Sequence, residues 1–561
     1  MLISKAQFGF LDYFFFTIVF VMCLMIGLYF ALGSKKHFSI EEYLFGGKKL
    51  NIMSVIFSLA ATSISGSATI GQSMEMYAFG LHNWLVSGVS VIWLLIMHHI
   101  FLPVFYELQL MSTFTYLEMR FDSSVKKLAS ALYIITGFLV IPLTIYVPAL
   151  SFEEVTGINL YIITVVLGLL CIWYTAIGGI KAVVWTDALQ YIIITGSGIV
   201  IMIVGLKSVG GFENVWRALD RGGRLTFVKT DFDLETRGTI WAYVTSVVFI
   251  YLYQFGMSQS SIQRFLSLSS LRKAKIALWT HSFFCDIILY IQFIIGGVIY
   301  ATYETCDPLT AGIVKKIDQI FPYFVQEKAS LFSGFNGIFI AGICAAGMST
   351  ASTLLNTMSG TIYNDFLNER LKHFSEKNVG RIMKMIVVII GIIGIIMVFL
   401  IERLGTIFAI TNQCFAVSTV GVFGLFVNGM LIPKINSTGA KCGVVLSMLS
   451  VGFLIISGFN KEQDPYLPLR IDGCDFINNT SSIPSVSFLK SIEQVHANEP
   501  ISWIFRINFQ YFSIIGLVIN ITVSYIASTL TGGNTKIDQK LLATFIRKKS
   551  RHQMTSLLND P

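Results

Sequence analysis

Charged residues are scarce in this chain: Asp, Glu, Lys and Arg together make up only 13% of its 561 residues. A soluble domain carries about a quarter, whereas here apolar residues reach 54% and the mean hydropathy is +0.70. The composition therefore argues against a soluble enzyme and predicts an integral membrane protein made mostly of spans. The net charge of +8 is better explained by membrane topology than by a nucleic-acid-binding patch.

Catalytic and metal-binding motifs are also missing. The sequence contains no GxSxG, HExxH or GxxxxGK[ST] run, and its eight cysteines include no CxxC pair that would indicate zinc. No cleavable signal peptide is evident, because the first apolar run, Leu11 to Leu32, is too long and lacks a small-residue cleavage site. We expect a protein that is not an enzyme and whose first apolar run is a membrane span.

Long apolar runs follow along most of the chain. A span needs roughly 20 apolar residues, and on that basis we predict thirteen spans, at about 10–32, 51–79, 84–108, 125–150, 158–177, 187–207, 239–258, 276–300, 331–357, 381–401, 405–431, 441–459 and 506–530. Most Lys and Arg residues fall in cytoplasmic segments if the N-terminus is outside and the C-terminus inside. We therefore predict a multi-pass plasma-membrane protein with that orientation.

Two features of the predicted outer loops agree with this orientation. Asn478 and Asn479 begin two overlapping glycosylation sequons. Cys306 and Cys474 lie in separate loops on the same oxidising side, where they could form a disulfide. Both features have a simpler alternative, since sequons often stay unused and cysteines in separate loops need not meet.

The second span contains an unusual polar stretch, SLAATSISGSATIGQSMEMYAFG, from Ser58 to Gly80. Its middle consists of small and hydroxyl residues, which are poor helix formers. Unwound backbone survives at membrane depth only where protein or water satisfies it. The stretch predicts a broken helix beside a cavity, with freed oxygens that suit a small hard cation. The alternative is a close helix–helix contact made by small residues.

A second small-residue stretch, IFIAGICAAGMSTASTLLNTMSGTIY, runs from Ile338 to Tyr363. Ala346, Ser349, Thr350 and Thr353 recur at spacings of three and four, so they share one helix face. Such a face is often only a polar contact between helices. Paired with the break near Ile64, it would supply side-chain oxygens to a sodium site.

Two further features point into the bundle. Asp187 opens the predicted sixth span, where it is a functional candidate by default or a helix cap. Gln254-Phe255-Gly256 interrupts the seventh span. Interrupted helices at matching positions predict an inverted repeat with the site between its halves. We predict an extra helix and loop at 1–50, repeats at 51–209 and 239–431 around an outer loop at 210–238, two helices at 432–530, and a cytoplasmic tail at 531–561.

The solute should bind beside the two breaks. A helix N-terminus exposed by a break favours an anionic group such as a carboxylate. We therefore expect a small organic anion or a halide-like anion. The candidate solute-binding residues are Ser65, Ser67, Thr69, Gln72, Tyr77, Trp241, Tyr253 and Gln254.

Taken together, the motifs resemble the sodium:solute symporter family over about Glu41 to Lys441. The runs that carry the resemblance are Phe45-Gly46-Gly47, SLAATSISGSATIG, WYTAIGGIKAVVWTDALQ (Trp173 to Gln190), QSSIQRFLS (Gln259 to Ser267) and AGMSTASTLLNTMSGTIYNDF (Ala346 to Phe366). Within the family, the chain looks most similar to the animal branch that carries monocarboxylates, iodide and water-soluble vitamins.

The resemblance implies an all-α membrane protein with a leucine-transporter-like core of two inverted five-helix repeats. It also implies sodium-driven symport by alternating access, with the sodium ion as the coupled ion. The family's main sodium site maps onto the carbonyls of Ala61, Ile64 and Ala346 and the hydroxyls of Ser349 and Thr350. The family aspartate of the sixth span, implicated in sodium coupling, maps onto Asp187.

Three departures bear on the solute and not on the sodium site. Ala68 stands where sugar-carrying members have a histidine, which argues against a sugar. Ala78 replaces an arginine of the anion branch, and Val420-Gly421-Val422 replaces its GGP-type run. Alternatives are therefore a symporter of iodide, an amino acid or choline, and a nutrient sensor that keeps the fold without turnover. The solute and the oligomeric state stay open.

Overall fold

The computed structural model describes residues 8–33, 39–48, 50–226, 229–328, 333–401, 416–417, 419–457, 466–474, 506–533 and 537–547. Within these ranges the chain is helical, and the only strand pairing is an isolated bridge between Lys229 and Thr239. The α-helices, in chain order, are α1 (Phe10–Gly33), α2 (Ile40–Phe45), α3 (Ile52–Ser63), α4 (Gly66–Phe79), α5 (Leu85–Ile96), α6 (Leu102–Leu108), α7 (Thr113–Arg120), α8 (Ser123–Thr156), α9 (Leu160–Val209), α10 (Phe212–Arg221), α11 (Ile240–Tyr251), α12 (Gln259–Leu266), α13 (Leu271–Thr302), α14 (Ile320–Lys328), α15 (Phe335–Ile362), α16 (Asn368–Leu371), α17 (Glu376–Ile401), α18 (Gly424–Leu431), α19 (Ser437–Ser457) and α20 (Phe512–Leu530).

Ten continuous helical stretches in the described residues are long and apolar enough to cross a membrane. The predicted second span is divided into α3 and α4, neither of which is long enough alone. The predicted fifth and sixth spans are one helix by hydrogen bonding, α9, whose 50 residues would measure about 75 Å if straight. The predicted eleventh span, 405–431, includes residues 405–415 and 418, which lie outside the described ranges.

The direction of α9 changes at Gly179, whose φ of 59° and ψ of −157° are not helical. A Cβ at this position would meet the Tyr43 ring at 2.6 Å and the Tyr43 carbonyl oxygen at 3.0 Å. Glycine is required for both reasons, and the helix resumes at Ile180. The prediction that Asp187 opens or caps the sixth span is therefore wrong. Asp187 lies about two turns inside that half of α9, in a fully buried position.

The centre of the bundle is α15, which is buried along nearly its whole length. It packs against α9, α8 and α1, and also against α3 and α4 on either side of the break between them. Close approach is possible because α15 presents small residues. At Gly347, for example, the Thr144 carbonyl and Pro148 lie so close that no side chain would fit. The hydroxyl-bearing face of α15 thus meets protein and not lipid.

Candidate functional site

The chain leaves the helical conformation between α3 and α4. Ile64 is extended, with φ of −119° and ψ of 98°, and Ser65 begins the next helix by accepting a hydrogen bond at its Oγ from the Ala68 amide, at 3.2 Å. Just before the break, Thr62 and Ser63 donate their hydroxyls to carbonyls four residues earlier, each at 2.8 Å. Such bonds compete with the helix and bend it. The polar stretch therefore forms a broken helix, as its composition predicts.

The hydroxyl face of α15 lies directly against this break. Ser349 Oγ is 3.0 Å from the Ala61 carbonyl oxygen and 3.1 Å from that of Ala346. Thr350 Oγ1 is 3.4 Å from the Thr62 carbonyl oxygen and 3.4 Å from that of Ala346. All of these oxygens are neutral and belong to buried or half-buried residues. They form one cluster that joins two segments nearly 300 residues apart in the sequence.

This cluster has the chemistry of a site for a small hard cation. Each hydroxyl has one proton and two acceptor lone pairs. Each can turn its proton away from the break, which leaves lone pairs to face an ion. The break removes carbonyl oxygens of α3 from normal helical pairing, and such freed oxygens coordinate sodium in broken-helix transporters. Among the described residues there is no group of His, Cys, Asp and Glu that would instead indicate a transition metal.

A buried ion pair lies next to the oxygen cluster. The carboxylate of Asp187 accepts hydrogen bonds at Oδ2 from Arg264 Nη2 and from Ser58 Oγ, both at 2.8 Å. Thr62 and Thr353 approach the same oxygen at 3.3 Å, and Arg264 also donates to Thr353. The pair therefore links α9 and α12 to α3 and α15. The other carboxylate oxygen, Oδ1, has no partner within the described part of the chain.

The second interruption lies slightly beyond its predicted position. Gln254-Phe255-Gly256 belongs to a π-helical segment, Leu252–Met257, which continues α11. The backbone becomes extended only at Ser258, whose Oγ accepts a hydrogen bond from the Ser261 amide at 3.4 Å to begin α12. The wide π-helical turn directs Gln254 and Phe255 towards the first break.

A cavity of about 190 Å³ lies between the two interruptions. Four of the predicted solute-binding residues line it, namely Ser65, Ser67, Gln72 and Gln254. Tyr253 lines a smaller neighbouring cavity of about 80 Å³, nearer to Arg264. Thr350 lines both cavities, so the oxygen cluster is part of their shared wall.

Three predicted solute-binding residues lie elsewhere. Thr69 donates its hydroxyl to the Ser65 carbonyl at 3.1 Å, and Tyr77 donates to the Asp307 carboxylate, so neither lines the cavity. Trp241 is 47% exposed and donates its indole N–H to the Thr230 carbonyl at 3.1 Å. Its ring is on the outer surface because α11 directs that face away from the bundle.

Two cavity residues of opposite charge were not predicted from the sequence. Glu75 of α4 and Arg237, just before α11, form an ion pair, and both line the cavity. The guanidinium lies 4.0 Å from the centre of the Phe79 ring and 5.4 Å from that of Phe509. Glu75 could have been found by helical spacing, because it follows Ala68 and Gln72 on one face of α4.

The loop that follows α13 and the loop that follows α19 are joined by a disulfide bond. Cys306 and Cys474 form a disulfide with a Cα–Cα distance of 5.0 Å. Backbone hydrogen bonds flank it, from Asp307 N to the Arg470 carbonyl at 2.8 Å and from Gly473 N to the Thr305 carbonyl at 2.9 Å. The sequons at Asn478 and Asn479 lie outside the described residues.

Known transporters resemble this chain over most of its length. The sodium-coupled monocarboxylate transporter 2 of Mus musculus is 31% identical over 529 residues, which cover 93% of this chain and 84% of that protein. The sodium-coupled monocarboxylate transporter 1 of Homo sapiens is 29% identical over 550 residues, covering 95% and 89%.

Solved structures share the fold. A Na⁺-coupled sialic acid symporter, in a substrate-bound outward-open state, matches with a TM-score of 0.76 at 21% identity, over 95% of this chain and 100% of that one. Mhp1, a nucleobase-cation-symport-1 family transporter, matches with a TM-score of 0.52 at 11% identity, over 87% and 93%. The predicted leucine-transporter-like architecture is thereby confirmed. Residues 43–447 match the sequence profile of the sodium:solute symporter family, and this chain belongs to that family.

Proposed function

We propose that this protein is a plasma-membrane symporter that couples the inward movement of sodium to that of a small organic anion. The observation that carries the proposal is the cluster of neutral oxygens where the broken helix α3–α4 meets α15. Sodium would be held by the carbonyls of Ala61, Ile64 and Ala346 and by the hydroxyls of Ser349 and Thr350. An ion there would hold the two halves of the break against α15.

Sodium binding can be coupled to solute binding because the oxygen cluster and the central cavity share a wall. Thr350 lines the central cavity and belongs to the oxygen cluster, so sodium binding fixes one side of the solute chamber. A solute that binds only the ordered chamber gains affinity when sodium is present. Each sodium ion that moves inward at about −90 mV contributes about 2 kcal/mol to the transport cycle.

Asp187 has a supporting role in this proposal. Its carboxylate touches Thr62, whose carbonyl accepts a hydrogen bond from Thr350, so a change at the ion site reaches the Asp187–Arg264 pair through one residue. The unpartnered Oδ1 leaves capacity for a second sodium ion or a water molecule. We assign Asp187 to sodium coupling, either as a ligand of that second ion or through Arg264.

The size and charge of the central cavity favour a small anion. Its volume of about 190 Å³ is below the range of about 300–1,000 Å³ typical of pockets for drug-sized ligands. The N-terminus of α4 faces it through Ser65 and Ser67 and favours an anion there, whereas the charge of Arg237 is balanced by Glu75 in the same lining. Because the curated relatives are named as monocarboxylate transporters, a short monocarboxylate fits better than a bulky vitamin.

The proposal also includes the inverted repeat and the membrane orientation of the chain. Residues 51–209 and 239–431 form the two halves, and each half begins with one of the interrupted helices. The N-terminus is outside and the C-terminus is in the cytoplasm, with Cys306 and Cys474 in outer loops.

The proposal is tested by uptake into cells that express the chain. We expect radiolabelled short monocarboxylates to accumulate in sodium medium and not when N-methylglucamine replaces sodium. Vitamins, amino acids, choline and iodide complete the panel. Equal accumulation in both media would refute sodium coupling, and ligand-dependent signalling with no flux would favour the sensor alternative.

Variants of α15 test the assigned ion site. Ser349→Ala combined with Thr350→Ala should raise the sodium concentration for half-maximal uptake by about thirtyfold, since each of the two lost oxygens contributes about 1 kcal/mol and about 1.4 kcal/mol corresponds to a tenfold change. Ser352→Ala is the matched control, because Ser352 is buried in the same helix but its hydroxyl contacts the Ser349 carbonyl, at 3.1 Å, and Tyr174, and not the oxygens of the proposed ion site. An unchanged sodium dependence in the double variant would show that sodium binds elsewhere.

A further inference from the structure

A large pocket lies at the opposite end of α1 from the disulfide-linked loops. Its volume is about 670 Å³, and it is formed by the end of α1, the start of α2, the Gly179 bend of α9 and the first turns of α17. No part of it belongs to the ion site or to the central cavity. In the predicted orientation it opens at the cytoplasmic surface of the membrane.

The pocket is strongly basic. Lys181, Lys377, Arg381 and Lys384 line it, and Glu42 is the single carboxylate in the lining. That carboxylate is already used, since Glu42 Oε1 is 2.5 Å from Lys181 Nζ. Lys377, Arg381 and Lys384 have no carboxylate within ion-pairing distance in the described part of the chain.

The three cations of α17 are stacked on one helix face. Their spacing of four and three residues places each next to the following one, and like charges at these spacings destabilise a helix. A negatively charged group in the pocket would remove this repulsion. A multiply charged phosphate is the anion that best matches three converging Lys and Arg side chains.

The wall of the pocket that α1 provides is apolar and exposed. Tyr29 and Leu32 of α1 line the pocket and are 72% and 52% exposed. A soluble anion would have no use for these side chains, whereas the acyl chains of a lipid would cover them. Basic pockets between spans at the cytoplasmic surface suit anionic lipid headgroups.

We propose that this pocket binds the phosphorylated headgroup of an anionic phospholipid from the cytoplasmic leaflet. The phosphate groups contact Lys377, Arg381 and Lys384, and the acyl chains lie along the end of α1. Because Gly178 and Lys181, on either side of Gly179, line the pocket, the bound lipid also stabilises the bend of α9, which leads on to Asp187. The headgroup therefore stabilises the inner end of the bundle.

The experiment measures thermal unfolding of the purified full-length protein in detergent. Dioctanoyl phosphatidylinositol 4,5-bisphosphate should raise the melting temperature in a saturable manner, and dioctanoyl phosphatidylcholine should not. Inositol 1,4,5-trisphosphate tests the soluble source of the same chemistry, and we expect it to bind at least tenfold more weakly. Equal stabilisation by phosphatidylcholine, or equal affinity for the soluble trisphosphate, would overturn the proposal.

Variants test whether the stabilisation by the phosphoinositide arises from binding in this pocket. Lys377→Gln combined with Lys384→Gln should weaken the apparent affinity for the phosphoinositide at least tenfold, and the Lys→Arg pair should retain it. Arg272→Gln combined with Lys273→Gln removes two exposed charges on the same predicted side, at the start of α13, and should leave the affinity unchanged. Equal affinity in the 377/384 glutamine variant and the unaltered protein would refute the site.

Crosslinking with a photoreactive phosphoinositide locates the binding site on the unaltered protein, without any variant. Crosslinks on the unaltered protein should fall within residues 29–32 and 377–384. Crosslinks confined to other segments would overturn the assignment even if the glutamine variant did not fold.

Discussion

Asp187 and Arg264 illustrate how a single buried pair can hold several helices in position. Their side chains are 0% and 3% exposed, and the arginine also contacts Ser58 and Thr353. A buried ion pair gives little net stability compared with apolar residues, but removing one partner leaves an uncompensated charge. The pair therefore acts mainly by specifying how α9 and α12 meet.

This argument predicts the outcome of a double-mutant cycle. Asp187→Asn should lower the free energy of unfolding by about 3–5 kcal/mol, because Arg264 is then buried without a counter-charge. Asp187→Asn combined with Arg264→Gln should recover part of that loss. Melting temperatures of the purified variants provide the measurement. If the double variant lost the sum of the two single losses, the two residues would not be coupled.

The face on which a residue lies decides its role in α4. Ala68, Gln72 and Glu75 follow at spacings of four and three and line the central cavity. Thr69, Ser73 and Tyr77 recur every four residues on another face, where Ser73 donates to Gln292 of α13 at 2.8 Å. The spacing of these residues in the sequence already separates the two faces. Tyr77 was predicted to bind solute only because it is near the break, and helical phase would have excluded it.

Two substitutions on these faces should therefore have different effects. Gln72→Ala should raise the KM for the transported solute by at least about tenfold, since a hydrogen bond to a charged group contributes about 1.5–3 kcal/mol. Tyr77→Phe should leave KM unchanged and lower stability by about 1–3 kcal/mol, because the buried Asp307 loses a donor. Uptake kinetics and thermal unfolding separate the two effects. A raised KM in Tyr77→Phe would return that residue to the solute site.

At the scale of elements, the interruptions are what the sequence predicts best. The first is marked by hydroxyl residues and glycines, which are poor helix formers, and the break falls among them at Ile64 and Ser65, although Gly66 and Gly71 lie inside α4. The second was predicted at Gln254-Phe255-Gly256 but lies at Ser258, because a π-helical turn keeps the intervening residues hydrogen-bonded. Arg264 was not assigned a role because its partner is 77 residues away and their contact depends on how whole helices pack.

The bend in α9 is a second feature at this scale, and it predicts the effect of a substitution. Gly179→Ala should destabilise the protein by about 1–3 kcal/mol, because the residue has positive φ and its new Cβ would strike Tyr43. Gly196→Ala in the same helix is the control. No atom lies within 4 Å of its added Cβ, so it should stabilise by about 0.5–1 kcal/mol. Equal melting temperatures for the two variants would contradict this account of the bend.

At the scale of the whole molecule, the loops that follow α10 and α19 are hydrogen-bonded to the end of α4. Leu467 N donates to the Ala78 carbonyl at 2.9 Å, and Arg224 Nε donates to the Tyr77 carbonyl at 2.8 Å. The Cys306–Cys474 disulfide closes this arrangement. Composition and hydropathy predicted the class and the approximate spans, but not these contacts, since loop pairing leaves no periodic pattern in the sequence.

The disulfide also bears on orientation, because such bonds persist in oxidising compartments. The thirteen predicted crossings place the termini on opposite sides, so an N-terminal epitope tag should be labelled on intact cells. A C-terminal tag should be labelled only after permeabilisation. The reverse pattern would contradict the orientation inferred from the basic residues and would remove the disulfide from the oxidising side.

Thr350 belongs both to the oxygen cluster and to the lining of the central cavity, and this has a pharmacological consequence. A compound that fills the solute chamber but is too large for the transport cycle to proceed would still contact Thr350, which we propose as a sodium ligand. Such a compound would trap sodium instead of releasing it inward. Blockers of this protein should accordingly act more strongly in sodium than in its absence, and slow the escape of an ion already bound.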